Sequence, residues 1–457
     1  MSTQDPRLDH IEKTFERILT PFEHFLHRET AGGVVLMTCT VIALVLANSP
    51  LVGSYEHLLH IPMGFSFGET SLVMSLHHWI NDGLMTLFFF VVGLEIKREV
   101  LVGELSRPKQ AALPIVAAMG GMVVPALLYF AINPEGPTSQ GWGVPMATDI
   151  AFAVGVMVLL GKRVPPSMFA FLVALAIVDD LGAVAVIAIF YTDNISLQAL
   201  FASGLLLCLL VLMNIVGIRR PMPYFIVGLF LWLAMHASGI HATVAGVLTA
   251  WTIPARPKFS PEAFSRMVQG LMARYNQFAR REGQQDEIIN NMQQRRAIVQ
   301  TLENGVHMME TPLQRLEYSF HTPVAFLVIP IFALANAGVP IDFAHLGTAL
   351  TEPVALGVMV GLIFGKLIGI AGASLLAIKL GLGEMPKGAS RNHIIGVALL
   401  GGIGFTMSIF ISELGFKGHA EMLLSAKTGI LFASLIAGVL GYLILRFMTK
   451  PAETTTG

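Results

Sequence analysis

Apolar residues in this chain do not recur once per helical turn, as they do on half-buried helices. They fill long runs broken by short polar stretches. Uncharged runs of about 20 residues are the signature of membrane-spanning helices. Twelve spans are predicted, near 31–48, 77–97, 110–131, 143–160, 166–190, 197–217, 221–236, 240–254, 322–338, 353–378, 392–412 and 426–446. Two of them are interrupted. The fourth carries Pro145 shortly before Asp149, and the eleventh reads Gly401-Gly-Ile-Gly-Phe-Thr-Met-Ser. Proline and clustered glycine weaken a helical hydrogen-bond ladder, and backbone freed at membrane depth is tolerated where it lines a polar cavity. The tenth span carries Gly357, Gly361, Gly365 and Gly369, one glycine every fourth residue, which predicts a close packing face.

Composition agrees with this pattern. The chain has 457 residues, 54% hydrophobic and 13% charged, with mean hydropathy +0.68. Soluble domains carry about 25% charged residues. One polytopic all-α membrane domain is therefore expected, with the lipid bilayer as its main partner and no nucleic-acid partner. Cys39 and Cys208 lie in apolar runs and are predicted to be buried thiols, neither disulfide-bonded nor metal-bound. No cleavable leader is expected at the N-terminus.

Net charge is only −1, but Lys and Arg alternate sharply between successive loops. Arg7, Lys13, Arg17 and Arg28 precede the first span, and the 49–76 loop has none. Basic residues return at Lys97, Arg98, Arg107 and Lys109, at Lys162 and Arg163, at Arg219 and Arg220, throughout 255–321, and at Lys379, Lys387 and Arg391. Lys417 and Lys427 break the pattern, and Arg446 and Lys450 restore it. The positive-inside rule then places both termini in the cytoplasm, which twelve spans satisfy. The organisation expected is a cytoplasmic tail (1–30), helices one to eight (31–254), a cytoplasmic charged helical insertion (255–321), helices nine to twelve (322–447) and a cytoplasmic tail (448–457).

The few charges inside the spans are the chemistry. Asp179 and Asp180 are the only charged residues between Val164 and Thr192, and Lys366 stands alone in 353–378. Each such group costs roughly 2.5–3.5 kcal/mol to insert at the bilayer centre. Together with Asp149 they fall within about 4 Å of one membrane plane at ~1.5 Å rise per residue. Three acids and a base at one depth predict a cation site where protons compete.

These motifs carry a resemblance. Ala147-Thr-Asp-Ile-Ala-Phe-Ala, Ala174-Leu-Ala-Ile-Val-Asp-Asp-Leu-Gly, Gly93-Leu-Glu-Ile-Lys-Arg-Glu and Gly402-Ile-Gly-Phe-Thr-Met-Ser-Ile-Phe resemble those of the NhaA-type Na+/H+ antiporters. Ser238-Gly-Ile-His-Ala-Thr-Val-Ala-Gly and Ala333-Leu-Ala-Asn-Ala-Gly-Val fit as well, and the similarity runs from about residue 20 to 447. The resemblance implies twelve transmembrane helices in inverted repeats, with the discontinuous fourth and eleventh crossing at mid-membrane. It implies that Asp180 and Asp179 bind Na+ or H+, that Thr148 and Asp149 stand at the crossing with Pro145, Gly402, Gly404 and Thr406, and that Lys366 is the basic partner. A pH response is implied at Glu95, Arg98 and Glu99 and at Arg315, Glu317 and His321, with Gln314 and Tyr318 where relatives often have ionisable groups. The basic-free 49–76 loop resembles a dimer-contact region, so a homodimer is expected. The 256–310 insertion is longer than in many relatives and reads as a solvated helical hairpin.

The function expected is electrogenic Na+(Li+)/H+ antiport, pH-regulated, without enzymatic chemistry or cofactor. Several readings stay open on sequence alone. Lys366 serves either as structural counter-charge to Asp149 or Asp179 or in coupling. Asp149 compensates helix dipoles or is a neutral hydrogen-bonded acid. Asp82, beside Asn81, reads as a funnel or capping residue, and His241 as a packing or capping one. Among the 14 histidines, none is in a cluster with metal-ligand spacing. A Na+-coupled symporter for an organic anion would need anion-holding residues that do not stand out. Free cation flow through a channel is opposed by a buried lysine, and no nucleophile or metal constellation suggests an enzyme.

Overall fold

The computed structural model describes residues 29–67, 70–192, 195–256, 261–279, 296–302, 311–342 and 344–449. The expected tails and much of the insertion lie outside the described residues. The chain is almost wholly helical. Helices α1 (Glu29–Ala47) and α2 (Val52–His60) meet at a 113° bend and lead into an antiparallel hairpin, β1 (Pro62–Phe67) with β2 (Thr70–Ser75), paired Pro62 to Ser75. The spans α3 (Leu76–Leu101) and α4 (Pro108–Ile132) follow. A 3-10 segment (Pro137–Met146) then breaks before α5 (Ile150–Leu159), with a 41° bend. Next come α6 (Pro166–Phe190), α7 (Leu197–Ile215), α8 (Pro221–Ser238) and the short α9 (Val244–Thr252). The described part of the insertion includes α10 (Pro261–Ala279). The chain continues through α11 (Pro312–Asn336), α12 (Leu346–Thr351) and α13 (Pro353–Lys379). The second broken pair, α14 (Arg391–Leu400) and α15 (Phe405–Gly415), bends by 46° before α16 (Ala420–Phe447).

Among the described residues eight helices are long and apolar enough to cross a membrane, or up to eleven when each bent pair is one span. The expected span 240–254 is what separates eleven from twelve. Gly239, at φ 87°, ends α8 in the left-handed conformation, and helix resumes only at Val244. Nine residues rise about 14 Å, short of a ~30 Å hydrocarbon core. The ninth span, in contrast, starts earlier than hydropathy indicates. Thr311 caps α11 with a reciprocal box to Gln314, and Pro312 occupies the first turn, so the helix begins on a polar stretch that carries Arg315 and Glu317. The hairpin lies in what hydropathy reads only as the 49–76 loop.

Outward faces are apolar: Val41, Leu127, Phe201, Leu205, Phe230 and Leu435 are all exposed, as lipid contact requires. Cys208 belongs with them and is exposed, and Cys39 is half-buried, so the expectation of buried thiols is corrected. An apolar run does not say whether its side chains face lipid or protein. Lys427, one of the two exceptions in the loop pattern, pairs at 2.5 Å with Glu413, which offsets its charge.

The glycine stripe of α13 packs as expected. A Cβ at Gly361 would lie 2.6 Å from Pro145, one at Gly365 2.6 Å from Pro125, and one at Gly369 would strike the Gly120 carbonyl. Helices α4 and α13 thus touch backbone to backbone, leaving no room for a side chain. Two π-helical segments, Gly361–Gly365 and Leu367–Ala371, flank Lys366 within α13. Such local windings occur often at functional sites. Gly369→Val is expected to cost about 1–3 kcal/mol through overpacking, read as a lower unfolding midpoint in detergent. An unchanged midpoint would show that the seam has slack.

Candidate ion-binding site

Asp179 and Asp180 lie mid-way along α6, and both are buried. Successive side chains on a helix point about 100° apart, so the two carboxylates face different neighbours. Asp179 turns to α13, where its Oδ2 accepts a hydrogen bond from Lys366 Nζ at 2.8 Å. Lys366 is 0% exposed and Asp179 1%, so this ion pair is fully desolvated. Of the two acids Lys366 was expected to balance, the geometry pairs it with Asp179. Asp180 instead lines a cavity of about 350 Å3.

The two helix breaks meet beside this cavity. Thr148 Oγ1 donates to the Gly401 carbonyl at 2.8 Å, and Asp149 N donates to the Ile403 carbonyl at 2.7 Å. Ser408 Oγ ties α15 to the Val144 carbonyl at 2.8 Å. Asp149 is the N-cap of α5, its Oδ1 accepting from Phe152 N at 3.0 Å. Its Oδ2 crosses to α15 and accepts from Thr406 N at 3.1 Å and Thr406 Oγ1 at 2.5 Å. One carboxylate therefore caps two helix N-termini, where backbone N–H groups lack internal partners and the dipoles favour negative charge. Its partners are Thr406 and the α5 backbone rather than Thr148. The interrupting residues pack under α13: Pro145 against Gly361, Gly401 against Ile370 and Gly402 against the Leu362 carbonyl, while a Cβ at Gly404 would strike Ser408 Oγ.

The cavity is lined by Asp180, Asp149, Thr148 and Thr406, and also by Glu95, Arg98 and His321. Arg98 donates to Glu317 at 2.8 Å and to Glu99 at 2.8 Å. Of the six residues expected at the pH-response patches, Glu95, Arg98 and His321 line the cavity and Glu99 and Glu317 are tied to it through Arg98, while Arg315 is not among the lining residues. Tyr318 is exposed, and Gln314 is occupied in the helix cap. Arg98, one of the lining residues, has a side chain that is 37% exposed.

A cavity in which a few acids, threonines, an arginine and a histidine are set among apolar side chains, next to helix ends pinned by a second carboxylate, suits a small cation. The chain matches the family model described as Na+/H+ antiporter 1 over residues 23–445. The chain belongs to this antiporter family. It is 56% identical to "Na(+)/H(+) antiporter NhaA 1" of Saccharophagus degradans, over 95% of this chain and 93% of that protein. It is 52% identical to "Na(+)/H(+) antiporter NhaA" of Sulfurimonas denitrificans, over 97% and 98% of the two chains. A similarly named protein of Acidithiobacillus ferrooxidans is 48% identical over 94% and 97%. Families of this kind move ions and do not catalyse covalent chemistry.

Some participants were not legible in the antiporter's sequence. Thr406 was marked only as part of a helix break, yet its hydroxyl holds Asp149. Gly32 and Gly33 of α1 line the cavity, and their only signal is a glycine pair at the start of a span. Asn81 and Asn336 exchange hydrogen bonds between α3 and α11, with His77 also on Asn336. Asp82 does not cap a helix end with its side chain. Its carboxylate stands 3.1 Å from His78 and 3.7 Å from His236, a grouping in space that no spacing along the chain announces.

Removing one partner of a fully buried ion pair leaves an uncompensated charge and costs about 3–5 kcal/mol. Lys366→Gln is expected to lower the unfolding midpoint accordingly, and Asp179→Asn in the same chain to restore much of it. No recovery in the double variant would mean that the two groups are not energetically paired.

Proposed function

We propose that this chain is an electrogenic Na+(Li+)/H+ antiporter of the cell inner membrane in which Na+ and H+ compete for Asp180 and for the Asp179–Lys366 pair. The observation that carries this reading is the division of labour between two adjacent acids: Asp180 on the cavity, Asp179 on the lysine. A cation arriving through the cavity meets Asp180 first, with Thr148, Asp149 and Thr406 beside it. Asp179, sharing the same turn of α6, is electrostatically coupled to that event, so Asp180 and the Asp179–Lys366 pair titrate together. One proton leaves Asp180 and a second leaves the pair for each Na+ bound. A site that holds either load and faces each side in turn exchanges them without further chemistry. The remaining architecture belongs to the same proposal: α9 counted as a twelfth, short span, inverted repeats with the two broken helices crossing at mid-membrane, both termini cytoplasmic, and a homodimer formed through the β1–β2 hairpin. No cofactor takes part.

Two protons for one Na+ carry net positive charge inward as Na+ leaves. Each charge gains about 2.3 kcal/mol per 100 mV of inside-negative potential. That exceeds the roughly 1.4 kcal/mol of a tenfold Na+ gradient. In reconstituted vesicles an imposed inside-negative potential should drive Na+ uphill, and exchange indifferent to voltage would refute the stoichiometry. In the same vesicles, Asp180→Asn should abolish Na+-driven proton movement while the protein still unfolds cooperatively. Retained exchange would move the site elsewhere.

The Glu95–Arg98–Glu99–Glu317–His321 group lines or borders the same cavity, which supports its reading as the pH-responsive element. Glu317→Gln removes a negative neighbour from Glu95 and frees Arg98 for the remaining acids. With one negative charge fewer beside the cavity, the pH of half-maximal exchange should fall by about one unit, given about 1.5–3 kcal/mol for a hydrogen bond to a charged group. An unmoved pH profile would exclude this group from regulation.

A further inference from the structure

We propose that His78, Asp82 and His236 form a binding site for one divalent transition-metal ion, best suited to zinc, that joins α3 to α8. It is separate from the cavity that contains Asp180, none of whose lining residues belongs to it. The three donor atoms, two imidazole nitrogens and a carboxylate oxygen, all lie within 4.8 Å of one another. Zinc takes nitrogen and oxygen ligands at about 2.0–2.2 Å in tetrahedral array, which places neighbouring ligand atoms roughly 3.3 Å apart. The His78 Nε2–Asp82 Oδ2 and His236 Nδ1–Asp82 Oδ2 separations, 3.1 and 3.7 Å, bracket that value. In the third pair, His78 and His236, the rings meet edge to face with centroids 6.2 Å apart.

Local structure holds these donors in place. His78 and Asp82 are separated by one helical turn of α3, with His78 directly before the π-helical segment Trp79–Leu84 and Asp82 within it. His236 comes from the last turn of α8. Its ring stacks on Trp232 with centroids 5.9 Å apart, and Trp232 stacks on Trp79 at 5.9 Å. The stack fixes the imidazole across the helix–helix contact, the role that outer-shell groups play at metal sites. His241 and Lys417 are near enough for their charges to act on Asp82 and His78 respectively.

Chemistry selects the ion. Imidazole nitrogens suit Zn2+, Ni2+ and Cu2+ and are poor ligands for Na+ or Mg2+, so this site does not duplicate the transported-cation site. Side-chain exposures of 46%, 14% and 31% for His78, Asp82 and His236 leave an entry path and a fourth position for water. Three protein ligands with an open fourth position describe an exchangeable metal rather than a sealed structural one. A bound ion fixes α3 against α8. Because α3 also carries Glu95 and Arg98, metal occupancy and the cavity share one helix.

The test uses purified full-length protein without a histidine tag, titrated with Zn2+ against a chromophoric chelator. One Zn2+ per chain is expected. His78→Gln and His236→Gln should each weaken binding by more than the roughly 10–100-fold that loss of an outer-shell partner costs. Zn2+ should raise the unfolding midpoint of the unsubstituted protein and leave both variants unmoved. Unchanged affinity in both variants, or no binding in the unsubstituted protein, overturns the proposal and assigns any retained zinc to other histidines. Should a variant fail to fold, Co2+ added to the unsubstituted protein decides. The intense visible bands of a four-coordinate site support the assignment, and the weak bands of six-coordinate aqueous Co2+ overturn it. None of these readouts depends on transport, so their outcome is independent of the antiport reading.

Discussion

The Lys366–Asp179 contact governs the rest of the site. A lysine and a carboxylate with essentially no solvent exposure are each several kcal/mol too costly to ionise alone in such surroundings. Their mutual 2.8 Å contact is what allows both to remain in the interior. It also settles the orientation of α6. With Asp179 committed to α13, its neighbour is turned by about 100° toward the cavity. One charge pair therefore decides which carboxylate is a fixture and which is available to an incoming ion.

A second constraint is backbone satisfaction. Breaking two helices in a hydrophobic interior strands amide and carbonyl groups that cannot turn to water. The chain resolves this by setting the breaks against each other, so that Thr148 and Asp149 serve Gly401 and Ile403 while Asp149 serves α5 and Thr406. The polar groups left over face the cavity instead of lipid. The same arrangement that makes irregular backbone tolerable also concentrates oxygen atoms where a bare cation could be held.

How far the sequence revealed this depended on the cost of each feature. Charges in apolar runs are expensive, so Asp149, Asp179, Asp180 and Lys366 were conspicuous, and so were Pro145 and the Gly401–Gly404 cluster. Features without an insertion penalty were silent. A threonine such as Thr406 is ordinary in a span, and nothing in hydropathy separates a lipid-facing Cys208 from a buried one. Helix ends were misread wherever local stereochemistry outweighed hydropathy: Gly239 shortens the eighth span, and the Thr311 cap extends the ninth into polar sequence. His78 and His236 lie on different helices, so no spacing rule could join them. The packing of α3 on α8, including the Trp79–Trp232–His236 stack, brings them together.

The glycine seam between α4 and α13 has a mechanical consequence. Where side chains separate two helices, rotamer changes act as springs, and one helix can shift by several tenths of an ångström without its neighbour noticing. Along Gly361, Gly365 and Gly369 there are no such springs, since main chain rests on Pro145, Pro125 and Gly120 directly. Any displacement of α13 at Lys366 would therefore pass directly to α4 and to the segment that holds Pro145. Rigidity at that contact lets a change in charge of a few atoms be felt as movement of whole helices.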